Sequence, residues 1–107
     1  MSKNTGFSST SANRYSLALY ELASESNLVS QIEEQAIALI NLIKSSNDFN
    51  NLIKDPTSNK DNLITVISKI SEQNKLDNLF KNFLNFLITK RRFFFVEQIL
   101  KSFRDLL

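Results

Sequence analysis

The sequence predicts an all-α protein, a single-domain bundle of six helices of which two are short. Three observations carry that expectation. Apolar residues recur at spacings of three and four along most of the chain, which places them on one face of a helix. One glycine and one proline in 107 residues are too few for turn-rich β architecture. No stretch of any length alternates apolar and polar residues as a half-buried strand does. A chain of this length is one domain, with a real but modest core.

Residues 1–11 are rich in Ser, Thr and Asn and are expected to form a flexible N-terminus. Ser9, Thr10 or Ser11 can cap the first helix, which is expected from about Ala12 to Ser24. Tyr15, Ala18, Leu19, Leu22 and Ala23 form its stripe. Leu17 and Tyr20 lie off that stripe, so this helix is apolar on more than one side. Ser26 and Asn27 end it and open a second helix, from Leu28 to about Ser45. There Val29, Ile32, Ala36, Leu39, Ile40 and Ile43 make a clean amphipathic pattern. Ser46-Asn47-Asp48 reads as a stop followed by a cap, and a short helix follows from Phe49 to about Ile53. Asp55-Pro56-Thr57-Ser58-Asn59 is the clearest loop, because proline disfavours helix at the residue before it. Asn59 or Asp61 opens a fourth helix through Leu63, Val66, Ile67 and Ile70, and Ser71 to Asn74 break it.

The last third, residues 75–107, organises the chain. It holds seven of the nine phenylalanines, at positions 80, 83, 86, 93, 94, 95 and 103. From Leu76 to Ile88 the helical pattern is dense. Its apolar residues span roughly 200° of the helix circumference, against about 100° for an ordinary surface helix. Such a helix is either central in its domain or touches a second body. After Lys90-Arg91-Arg92 the pattern restarts with Val96, Ile99, Leu100, Phe103, Leu106 and Leu107. Phe93-Phe94-Phe95-Val96 has strand propensity, but the helical period runs straight on from it. Phe94 then points off the main face, and nothing in the sequence says why.

The chemistry of catalysis is missing. With no cysteine there are no disulfides, thiolate metal sites or thiol nucleophiles. With no histidine the commonest general base and metal ligand is gone. Glu33 and Glu34 are adjacent on a polar helix face, so their side chains diverge by about 100°. There is no Gly-rich phosphate loop, since Gly6 stands alone. We therefore expect no enzyme, catalytic residue, cofactor or metal. No apolar run approaches the ~18–20 residues that span a bilayer, so no direct membrane insertion is expected, and the polar N-terminus is not a signal peptide.

Two features can meet a partner. Lys90-Arg91-Arg92 is the one basic cluster. It reads either as phosphate contact on RNA or as favourable charge at a helix C-terminus, and its isolation favours the second. The phenylalanines could stack on bases, but their helical spacing fits core packing better. An RNA-binding helical bundle of the antitermination-factor type is the alternative function. The other feature is the surplus apolar surface of the first and fifth helices. If they lie side by side, their spare edges form a groove for an amphipathic helix. Both helices being central in a small bundle is the competing reading, and the two stand open at this point.

Two motifs carry a family resemblance. Ala12-Asn13-Arg14-Tyr15-Ser16-Leu17-Ala18-Leu19-Tyr20-Glu21-Leu22-Ala23 resembles the opening Ala-x-Arg-Tyr-Ala-x-Ala-Leu-(aromatic)-x-x-Ala of the F-type ATP synthase delta subunit family. The mitochondrial counterpart is the oligomycin-sensitivity-conferring protein. Asn82-Phe83-Leu84-Asn85-Phe86-Leu87-Ile88-Thr89-Lys90-Arg91-Arg92, followed by Ile99 and Phe103, resembles the family's Asn-Phe-Leu-x-x-Leu-x-x-Asn-(x)-Arg segment. Asp55-Pro56 with Lys60 fits the Pro loop between them. The resemblance covers about residues 12–107. Ser16 stands where Ala is usual and Lys90 where Asn is usual.

The resemblance implies a helical N-terminal domain at residues 12–107 that caps the catalytic head as a non-catalytic stator component. Its groove between the first and fifth helices takes the N-terminal helix of an alpha subunit. Tyr15, Ala18, Asn82 and Phe86 match family positions at that interface, and Leu22 and Leu79 join them by helical spacing. The family continues into a further domain that contacts the peripheral stalk b subunits. That C-terminal domain is absent from this sequence, so the N-terminal domain alone is expected. No nucleic acid partner is implied, and the expected place is peripheral, on the cytoplasmic face of a bacterial inner membrane.

Overall fold

A computed structural model describes residues 9–107. Six helices follow one another: α1 (Ser9–Glu25), α2 (Val29–Ser45), α3 (Asn47–Lys54), α4 (Lys60–Asn74), α5 (Asn78–Thr89) and α6 (Val96–Asp105). A 3-10 turn at Phe93–Phe95 leads into α6. No strand occurs among the described residues, and the all-α bundle expected from the spacing is what forms.

Local chemistry sets the helix starts. Ser46 caps α3 by accepting from the Phe49 backbone N–H at 3.2 Å. Of the two residues expected to open α4, Asn59 is the cap. Its Oδ1 accepts from the N–H groups of Asp61 and Asn62, at 2.7 and 3.3 Å. The loop before it is tied to itself. Asp55 Oδ1 accepts from the backbone N–H and the hydroxyl of Thr57, at 2.9 and 2.7 Å, and Ser58 donates to the Leu52 carbonyl at 2.7 Å. At the start of α5, Asp77 turns its carboxylate away from the helix. Gln35 Nε2 of α2 donates to it at 2.7 Å, while the Asp77 N–H donates to Gln35 Oε1 at 3.0 Å.

Helix ends are closed without glycine. Asn27, Lys75 and Arg91 all take positive φ, 59°, 53° and 59°. Each follows a helix that finishes in an i+5 backbone bond: Leu28 N–H to Ala23 carbonyl, Leu76 to Ser71, and Arg92 to Leu87. This is the left-handed C-terminal cap that normally selects glycine. Its use explains one misread boundary. The polar run Ser71–Asn74 was expected to break α4, but it stays helical and the chain turns only at Lys75. The other differences are small. α1 is described from Ser9, so Ser9, Thr10 and Ser11 lie within the helix, and α2 starts at Val29 with Leu28 at its cap position. Of the N-terminus expected to be flexible, residues 1–11, residues 1–8 lie outside the described residues and Ser9 to Ser11 are helical.

α1 packs chiefly against α6, α4 against α5, and α2 against α3 and α6. Phe80, Leu84, Leu87, Ile99, Leu100 and Phe103 are fully buried at the centre. Each such side chain contributes about 1.5–3 kcal/mol by leaving water. The 3-10 turn settles the phenylalanine run: Phe93 is buried, Phe95 half-buried and Phe94 exposed. Phe94 is not idle. Its ring meets Phe95 edge-on at 5.1 Å, and Lys54 Nζ lies 5.2 Å from its centroid.

The face that α1 turns to the core is Ala12, Ser16, Leu19 and Ala23, not the whole stripe expected. Ser16 is 0 % exposed where α1 meets α6. Its hydroxyl donates to the Asn13 carbonyl at 3.1 Å and lies 3.0 Å from Ser102 Oγ. Ser102 in turn donates to Asn13 Oδ1 at 2.7 Å. A buried hydroxyl is tolerated here because it is hydrogen-bonded.

Candidate functional site

Two residues of the expected α1 stripe, Ala18 and Leu22, are left exposed once Leu19 and Ala23 enter the core. On α5 the wide apolar arc likewise divides. Phe80, Phe83, Leu84, Leu87 and Ile88 face inward, Leu79 is half-buried, and Asn82 and Phe86 are exposed. The two leftover edges adjoin. Ala18 and Leu22 from α1, with Leu79, Asn82, Phe83 and Phe86 from α5, line one groove of about 400 Å³.

Each lining residue has a physical part. Leu22 and Phe86 are 45 % and 43 % exposed, large apolar groups that remain in water at some cost. Ala18 is small, so a visiting helix can approach the α1 backbone closely. Asn82 supplies the polar amide among these side chains. Phe83 is the buried floor. It was not among the expected site residues, although it stands four positions after Leu79 and beside Asn82. Tyr15 does not line the groove. It is half-buried and closes the Phe86 end, its ring centroid 6.2 Å from that of Phe86 at 56°.

Of the six residues expected at the site, the structure therefore brings Ala18, Leu22, Leu79, Asn82 and Phe86 into one concavity and sets Tyr15 against its edge. Charge enters at the same end. Lys90 Nζ lies 5.8 Å from the Phe86 centroid, close enough for a cation–π attraction. Lys90, Arg91 and Arg92 do not act as one basic patch. Lys90 turns to Phe86, while Arg91 borders a different concavity. Among the described residues there is no cluster of acids that could hold a metal ion, and no helix is long and apolar enough to cross a membrane.

The family profile described as ATP synthase delta (OSCP) subunit matches residues 12–107. The chain is 63% identical over 103 residues to the ATP synthase subunit delta of Pelagibacter ubique, covering 96% of this chain and 56% of that one. It is 34% identical over 107 residues to that of Dinoroseobacter shibae, covering 100% and 58%. It is 30% identical over 95 residues to that of a Chelativorans species, covering 89% and 51%. The chain thus spans somewhat over half the length of these relatives. With the profile matched across α2 to α6 and nearly all of α1, the chain belongs to the ATP synthase delta (OSCP) subunit family.

Proposed function

We propose that this protein is a non-catalytic stator component of an F-type ATP synthase, and that its α1–α5 groove binds the N-terminal helix of an alpha subunit. One observation carries the reading. The exposed apolar edges of α1 and α5 come from the same two segments that bear the family motifs, and they meet in one groove. An amphipathic helix anchored at three- and four-residue intervals suits it. Leu22 and Phe86 gain burial, and Asn82 hydrogen-bonds an otherwise unsatisfied group on the visitor.

The mechanism is mechanical. The catalytic head must not turn while the rotor turns within it. This domain holds the head, and a further domain outside this sequence links it to the b subunits of the peripheral stalk. Tight binding is the whole task, so no bond is made or broken here. The domain sits peripherally, on the cytoplasmic face of a bacterial inner membrane.

Calorimetric titration with a synthetic peptide of the cognate alpha-subunit N-terminus tests this. Saturable one-to-one binding with a negative heat-capacity change is expected, the mark of apolar burial. Absence of binding by the folded protein overturns the reading.

A further inference from the structure

A second concavity, of about 300 Å³, forms where the α3–α4 loop meets the α5–α6 corner. It shares no lining residue with the α1–α5 groove. Its floor is apolar, made by the buried side chains of Ile53, Leu63, Ile88 and Phe93. Phe94, 42 % exposed, stands at its edge.

The rim is basic. Lys60 and Arg91 line it, and Lys54 reaches over the Phe94 ring. The one acid in the lining is Asp55, whose Oδ1 is already taken by the backbone N–H and hydroxyl of Thr57. Three cations thus face one partly committed carboxylate. Among the described residues the one ion pair is Lys101 with Glu97, so none of the three cations is neutralised by a close acid. Arg91 is also placed against backbone preference. It occupies the left-handed position after α5 where glycine is favoured, as Asn27 and Lys75 do after α1 and α4.

We propose that this concavity binds an acidic peptide segment, one apolar side chain seated on the Ile53–Leu63–Ile88–Phe93 floor and two carboxylates paired with Lys60 and Arg91. The reading goes beyond the alpha-subunit groove and stands apart from it. A protein segment fits better than a nucleic acid. The floor is mostly aliphatic, and the exposed ring already carries Lys54 over one face and Phe95 against its edge, which leaves little stacking surface for a base. Three cations also make a small footprint for a polyanion, whose binding rests on many phosphate contacts.

The test is ¹⁵N NMR titration of the 107-residue chain with the capped peptide Asp-Glu-Leu-Phe-Glu-Asp. Saturable shifts are expected at the amides of Lys60, Arg91 and Phe94. Arg91→Gly should weaken binding by about fivefold, the scale of one solvent-exposed ion pair. It keeps the fold, because glycine suits that backbone position. Lys60→Glu should weaken binding further. Shifts confined to Ala18 and Phe86, an equal response to a Lys/Arg version of the peptide, or no shift at about millimolar peptide each overturn the proposal. So does tighter binding of an oligouridylate at the same amides, which assigns the rim to nucleic acid.

Discussion

Tyr15 and Phe86 meet across α1 and α5 with their ring centroids 6.2 Å apart and their planes tilted by 56°. The pair fixes one end of the groove, and such tilted aromatic contacts add about 0.5–1.5 kcal/mol beyond area burial. Phe86 is therefore a fold contact on one side and an exposed groove wall on the other.

Ala18 separates these two tasks. Its exposed side chain lines the groove and has no part in the buried core. Ala18→Asp places a charge in an apolar contact and should weaken alpha-subunit peptide binding by at least about 2 kcal/mol. The lost helix propensity is only about 0.7 kcal/mol, so the melting midpoint should fall by a few degrees. Unchanged affinity in the calorimeter would sink the groove assignment.

Gln35 ties α2 to the start of α5 by two hydrogen bonds to Asp77. Gln35→Ala leaves both Asp77 groups without their partner. We expect a loss of about 1–3 kcal/mol, one of the two bonds being to a charged group, read as a lower urea midpoint at unchanged slope. A loss below about 0.5 kcal/mol means water replaces the amide fully.

Lys75 takes φ 53° at the end of α4. Lys75→Gly relieves that conformation and should raise stability by about 1 kcal/mol, near 4–8 °C in melting midpoint for a domain of this size. The same change at Leu76, where no positive φ occurs, should give no gain.

Asp55 has its carboxyl pKa held below the ordinary value, first by the Thr57 hydroxyl and then by the Thr57 backbone N–H. A depressed folded-state pKa stabilises the fold above the unfolded value and loses that contribution as pH falls through the folded one. Thr57→Val removes the hydroxyl donor alone. An NMR titration of Asp55 should then show its pKa rising toward the ordinary value while staying below it, and an unmoved pKa means the hydroxyl bond does not persist in solution.

The helices were legible because their apolar period is strong, and the groove because α5 carries more apolar arc than one core contact can use. Phe86 at the edge of that arc is indeed the exposed one. The α1 stripe was misjudged for a specific reason. Ser16 is polar, so periodicity passed over it, yet its hydrogen bonds let it sit buried between α1 and α6. With Ser16 inside, Ala18 and Leu22 rotate outward. The end of α4 was missed because its stop signal is a left-handed lysine rather than a glycine. The second concavity had no signal at all. Its parts are about thirty residues apart in the chain and meet only through folding.

The contact between Ser16 and Ser102 spans 86 positions of sequence, and that has a consequence for biosynthesis. α1 leaves the ribosome some eighty residues before its main neighbour, α6. At about 5–20 residues per second, α1 waits roughly ten seconds for α6. During that interval its apolar side lacks the surface that buries it. The α1–α5 groove also needs α5, so a half-made chain has no finished groove.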